Sequence, residues 1–271
     1  MRHLDATTSF NDSQIRRRRT STVRPQKSWA VDEDTVLIIQ HQAIGQPGTI
    51  IDTLVREGVG YDLRQLHAGA PVPSPDELGD YTALIVLGGS MNTDQADVYP
   101  FLRDERLLLE EALRRDVPVL GICLGAQQLA CVNGGCVFER REPAVGWLPI
   151  SLVGRDILFE GVPPEFMALE WHAQSFTVPE HACPLALRRG DEGVQAFRAS
   201  RRAWGLQFHP EIDGPTLDVW LKRDNKGMRR RAPLVLELLQ EQRDEIVQAS
   251  RVLCAQLVRN LLRAAEQPGM C

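Results

Sequence analysis

The stretch Val117-Pro-Val-Leu-Gly121-Ile-Cys123-Leu-Gly125-Ala-Gln127 constrains the fold more than any other part of the chain. Its first half is a short apolar run that predicts a buried strand, and LGAQQLACV behind it predicts a helix. Between them lies Gly-x-Cys-x-Gly, with cysteine in the place serine takes in a nucleophile elbow. A strand that turns sharply into a helix crowds its own backbone, so the residues around the turn must be small. The turn lifts the Cys123 side chain above the carboxyl ends of the strands, where open α/β sheets bind ligands. A helix N-terminus there favours the thiolate over the thiol. The plainer reading is an inert buried cysteine between two glycines that serve only the turn. A nearby base would decide between them.

Ala203-Trp-Gly-Leu-Gln-Phe-His209-Pro210-Glu211 supplies that base and an orienting carboxylate. An apolar strand runs towards His209, and Pro210 stops the ladder. Positions i and i+2 of an extended chain project to one side, so Glu211 can reach one ring nitrogen of His209 while the other faces Cys123. A carboxylate in that position fixes the tautomer and stabilises the imidazolium. Taken alone, His209 would read as a core histidine and Glu211 as a solvent-facing carboxylate.

The rest of the chain predicts where this site is mounted. A β-branched run at 35–40 reads as a buried strand, 47–57 as a helix with Pro47 in its first turn, and 61–66 as a weaker strand. Residues 81–87 form another strand running into Gly88-Gly89, and 101–115 an amphipathic helix. This alternation predicts an α/β fold with a mainly parallel sheet and helices on both faces. Segments 147–153, 166–171, 194–199 and 203–208 add strands, several of them antiparallel. Residues 232–265 carry Leu234, Leu238, Ile246, Val252, Leu253, Leu257, Leu261 and Leu262 at helical spacing and are expected to cover the sheet. A homodimer or partner-docking surface is their alternative role. One domain is expected over 35–271. Residues 1–34, with Arg16–Arg19, read as a disordered basic tail, since no aromatic residues interleave the arginines as a nucleic-acid arm would require.

A net charge of -5 argues against a general nucleic-acid binder, and no apolar run approaches membrane length. The six cysteines are irregularly spaced in a chain that needs no staples, which fits free thiols in a cytoplasmic protein. Cys131 and Cys136 lack a second ligand pair, and no Gly-x-x-x-x-Gly-Lys-Ser/Thr loop is present. Neither a metal nor a cofactor is expected.

GICLGAQ (121–127) and QFHPE (207–211) resemble the hallmark segments of the class I, triad-type glutamine amidotransferases. The stand-alone, GMP-synthase-like members are similar in further places: His41, Pro47-Gly48, Gly88-Gly89-Ser90-Met91, Tyr99-Pro100, Gly146-Trp147 and Trp171-His172. The resemblance runs in order from about residue 36 to 265 and implies a flavodoxin-like sheet and thioester chemistry. It implies Cys123 as nucleophile, with His209 and Glu211 as base and orienter. It places oxyanion-binding N–H groups at Gly89 and Leu124, and substrate contacts at Gln127, His172 and Ala173. The chain departs from the family pattern with Gln174 where an acidic residue is frequent, and with Ser90 after the glycine pair. Three functions fit: a glutaminase supplying ammonia to a separate synthetase, a free-standing γ-glutamyl hydrolase or peptidase, and a non-catalytic binding module.

Overall fold

The computed structural model describes residues 34–190, 193–223 and 233–267. The expectation of a disordered tail falls, apart from Asp34, outside the described residues. Nine strands form one sheet in the order β2-β1-β3-β4-β9-β8-β7-β5-β6. Strands β1 (Thr35–Gln40), β2 (Gly60–Gln65), β3 (Ala83–Val86), β4 (Val119–Ile122) and β9 (Ala203–Leu206) pair in parallel. Strands β5 (Val137–Leu152), β6 (Glu165–Phe176), β7 (Cys183–Arg188) and β8 (Val194–Ser200) extend the sheet in antiparallel fashion from β9 outwards. The expected α/β architecture is therefore present, with parallel pairing confined to the half that carries the elbow.

Strand periodicity explains how the parallel half is covered. Val36 and Ile38 of β1, and Ala83 and Ile85 of β3, point to one face; Leu37, Ile39, Leu84 and Val86 point to the other. On the first face these side chains meet helix α1 (Thr49–Glu57) through Ile50 and Leu54. The long C-terminal helix α6 (Arg243–Glu266) covers the same face through Leu253, Leu257 and Leu261. On the second face they meet helix α2 (Phe101–Arg114) through Leu108 and Leu109, and helix α3 (Leu124–Val132) through Ala126 and Leu129. A third cluster joins Trp147 and Leu169 to helix α4 (Gly214–Lys222) and to helix α5 (Pro233–Glu241) through Leu239.

The C-terminal apolar residues divide. Ile246, Leu253, Leu257 and Leu261 are buried, but Leu234, Leu238 and Val252 are 71%, 54% and 63% exposed and face solvent. Helical spacing cannot say which of two apolar stripes finds the sheet. Two elements lie outside the sequence expectations. Strand β7 reads as a polar Pro-containing loop in sequence, and its pairing with β5 and β8 is a tertiary matter. Helix α4 does carry a start signal: the Asp213 carboxylate caps the Thr216 N–H at 2.8 Å, and proline sits in its first turn. Among the described residues no helix is long and apolar enough to cross a membrane.

Candidate active site

Cys123 is the residue between β4 and α3, with φ 51° and ψ −101°. It is one of two non-glycine residues with positive φ among those described. Such a conformation costs on the order of 1–3 kcal/mol and persists only where the surroundings over-determine it. Here they do. The Cys123 N–H donates to the Leu206 carbonyl at 2.7 Å, tying the elbow to β9. A Cβ on Gly121 would lie 2.6 Å from the Gly125 carbonyl, and one on Gly125 would lie 2.2 Å from the Val86 oxygen. Both glycines are thus required by close approach, as the turn argument predicts.

His209 and Glu211 leave the carboxyl end of β9, next to the elbow. The His209 N–H donates to the Leu169 carbonyl at 2.9 Å, and its Nδ1 bonds Glu211 Oε1 at 2.8 Å. A Cβ on Gly88 would sit 2.9 Å from His209 Cε1 and 3.4 Å from Cys123 Cβ, so the three residues converge. The expected i, i+2 geometry holds, although the regular strand ends three residues before the histidine. The Glu211 backbone is anchored from α1: its carbonyl accepts from the Thr49 N–H at 3.0 Å and the Thr49 hydroxyl at 3.2 Å. Gly48, at φ 48°, is packed so closely that a Cβ would lie 2.1 Å from that same oxygen. Pro47-Gly48 therefore matters because it lets a helix N-terminus hold the carboxylate-bearing residue.

His209 Nε2 is buried with no hydrogen-bonded nitrogen or oxygen among the described residues, and the group it couples to is the Cys123 thiol. Burial lowers the imidazole pKa. The charge on Glu211, then that on Cys123, and hydrogen bonds to both outweigh it, and the net pKa is pushed up to about 10. The sign follows: with a folded pKa above 6.5, His209 contributes stability that is present below that pH and lost as pH rises through about 10. The melting temperature advantage of the wild type over His209→Asn is expected to shrink between pH 6.5 and 10. A gap constant across that range, in thermal melts of both proteins, would contradict a charged imidazole.

Cys123, His209 and Glu211 border a cavity of about 740 Å³ that Gly88, Gly89 and Gln127 also line. The Gly89 and Leu124 N–H groups are not hydrogen-bonded among the described residues. A Cβ on Gly89 would lie 2.7 Å from Leu124 Cδ2, so the loop and elbow are in contact. Gln127 borders the cavity while its Nε2 donates to the Gln174 carbonyl at 3.2 Å and to Gln207 Oε1 at 3.3 Å. His172 has both ring nitrogens engaged, by the Gln174 carbonyl at 2.7 Å and by Glu170 at 3.0 Å. Arg188 holds Glu170 through Nε at 2.8 Å. These contacts hold the 172–174 segment, whose three residues border the cavity.

Trp220 on α4 joins the site without a motif to announce it. Its ring stands edge-on to His209 at 4.8 Å and 86°, and its indole N–H donates to the Ile44 carbonyl at 2.7 Å. Trp171 packs against it at 5.7 Å. Trp220 packs edge-on against the imidazole, and no local sequence pattern signals a contact made across the fold.

The cysteine elbow and the paired His209 and Glu211 thus border one cavity. Residues 48–223 match the family described as glutamine amidotransferase class-I. The chain belongs to that family. A glutamine amidotransferase of Thermotoga maritima, solved as a crystal structure, superposes with a TM-score of 0.75 at 28% identity over 87% of this chain and 100% of that one. Among curated relatives, a subunit of the glutamine-hydrolyzing GMP synthase of Sulfurisphaera tokodaii is 30% identical over 156 residues, 56% of this chain and 80% of that protein. The corresponding GMP synthase subunit of Ignicoccus hospitalis is 34% identical over 142 residues, 52% of this chain and 72% of that protein. Within this class I glutamine amidotransferase chain, the match to the family description ends at Arg223, so α5 and α6 lie beyond that match.

Proposed function

We propose that this amidotransferase hydrolyses the γ-amide of glutamine through a Cys123 thioester, releasing glutamate and passing ammonia to an acceptor on a separate synthetase. The observation that carries the reading is the convergence of the Cys123 elbow with the His209–Glu211 pair on one cavity wall. The thiolate attacks the amide carbonyl carbon, and the displaced electron pair rests on the carbonyl oxygen. The Gly89 and Leu124 N–H groups stabilise that oxyanion, and each such donor is worth about 3 kcal/mol in the transition state. His209, held as imidazolium by Glu211, gives its Nε2 proton to the departing nitrogen, which leaves as ammonia. Water then gives a proton back to Nε2 and adds to the thioester, and collapse yields glutamate and the thiolate. The partner synthetase is suggested by relatives named as subunits of GMP synthase.

The second reading is hydrolysis of γ-glutamyl peptides or conjugates by the same thioester. The cavity favours it: about 740 Å³ lies in the range of sites for drug-sized ligands and leaves space beside a glutamyl group. Arg140, Arg141 and Trp171 border that space. Incubating the protein with L-glutamine and a panel of γ-glutamyl dipeptides separates the readings. Ammonia from glutamine alone, with a Cys123-linked glutamyl adduct by mass, is the expected result. Cleavage of peptides but not glutamine transfers the assignment to the second reading. Neither product nor adduct from any of them rejects both in favour of a binding module.

A further inference from the structure

His41 and Glu105 form an ion pair that takes no part in the reaction as written. Both side chains are 0% exposed, and His41 Nε2 meets Glu105 Oε2 at 2.5 Å. His41 follows β1 and Glu105 sits in the middle of α2, so the fold alone joins them. A buried pair of this kind contributes little net stability, because desolvation offsets the attraction. What distinguishes it is the aim of the remaining ring nitrogen. His41 Nδ1 lies 3.2 Å from the Gly88 carbonyl oxygen. A carbonyl oxygen can only accept, so Nδ1 carries a proton and Nδ1–H donates to it, while Nε2 is taken by Glu105. Burial lowers the pKa of His41, and the charge and hydrogen bond of Glu105, with backbone hydrogen bonds at Gly88 and Leu87, raise it, for a net upward shift.

The carbonyl it holds belongs to the peptide whose N–H is that of Gly89. That peptide is trans, so its N–H points opposite to the carbonyl, away from His41. Gly88 and Gly89 are both excluded from carrying side chains by contacts under 3 Å, with His209 and with Leu124. Two successive glycines leave the plane between them free to rotate, and a rotated plane would turn a carbonyl towards the oxyanion. The His41 hydrogen bond opposes that rotation. It also polarises the amide, since a bond accepted at C=O strengthens the donor at N–H.

We infer that His41, oriented by Glu105, is a positioning residue that fixes and polarises the Gly88–Gly89 peptide so that the Gly89 N–H serves as an oxyanion donor. The inference rests on the thioester reading above, and the experiment separates the two. His41→Leu/Glu105→Leu removes the relay while keeping apolar bulk; His41→Asn/Glu105→Leu restores one donor at the Nδ1 position. The readouts are kcat and KM with L-glutamine and γ-glutamyl-p-nitroanilide, and the rate at which iodoacetamide alkylates Cys123. Losing a well-placed oxyanion donor costs about 100-fold or more in kcat, so a misaligned one is expected to cost about 30-fold. KM should stay within about threefold, alkylation should be unchanged because it builds no oxyanion, and the asparagine variant should recover about tenfold. Wild-type kcat in the Leu/Leu variant overturns the inference. So does a loss confined to KM, an alkylation rate that falls in parallel, or an asparagine variant no better than leucine. If the doubly substituted proteins do not fold, Glu105→Gln takes their place: a fall of about threefold or more in kcat supports the relay, and none overturns it. A wild type inert towards both substrates rejects the thioester reading itself and the inference with it.

Discussion

Cys123→Ser is expected to lower turnover by about 10⁴-fold or more while leaving the protein folded. The substitution exchanges one atom, and the elbow is set by the backbone: a 2.7 Å bond from residue 123 to Leu206 and glycines at 121 and 125. The melting temperature should therefore move by only a few degrees. The chemistry fails for a specific reason. With its pKa pushed up to about 10 by Glu211 and the thiolate, His209 is organised to donate a proton, whereas an alcohol nucleophile needs it as a base in the first step. Measuring glutamate release and glutamyl adduct in parallel for both proteins checks this. Retention of a tenth of wild-type turnover would place the nucleophile elsewhere.

Gly125→Ala is expected to have a large effect on stability. The added methyl would lie 2.2 Å from the Val86 oxygen and 2.8 Å from its carbonyl carbon. Val86 belongs to a central strand held on both sides by parallel neighbours, so neither it nor the first turn of α3 can give way. Overpacking of this kind costs about 3 kcal/mol, which lowers the melting temperature by roughly 10 °C in a chain of this size. Gly79→Ala is the control: nothing lies within 4 Å of its added Cβ, and the expected change is within about 0.5 kcal/mol. Equal melting temperatures for the two variants would mean that the elbow is not packed as described.

The two substitutions differ in how readily sequence foresees them. The elbow was legible because strand, turn and helix are consecutive, and the steric demand on Gly121 arises within five residues, although that on Gly125 comes from Val86 on a neighbouring strand. The His209-x-Glu211 pairing was legible for the same reason: period-two geometry is local. Gln127 and His172 were less so. The resemblance assigns Gln127 and the backbone of the 171–174 segment to substrate; both border the cavity, and the Gln127 and His172 side chains are in addition bonded to Gln174, Gln207 and Glu170 within the protein. Residue type at a motif position does not say which of several neighbours a long polar side chain will choose.

Local order along the chain thus announced the class of fold, the cysteine turn and the histidine–glutamate pair, because strand, turn and helix signals and the i, i+2 spacing are read from residues close in sequence. Only the assembled sheet decided what surrounds them. Trp220 reaches His209 from α4, Thr49 grips the Glu211 carbonyl from α1, and Glu105 holds His41 from α2. Each of those contacts joins elements separated by long intervals of chain. Which partners meet across such intervals is set by strand order and by which face of a helix is buried, and neither is encoded in any single window of residues.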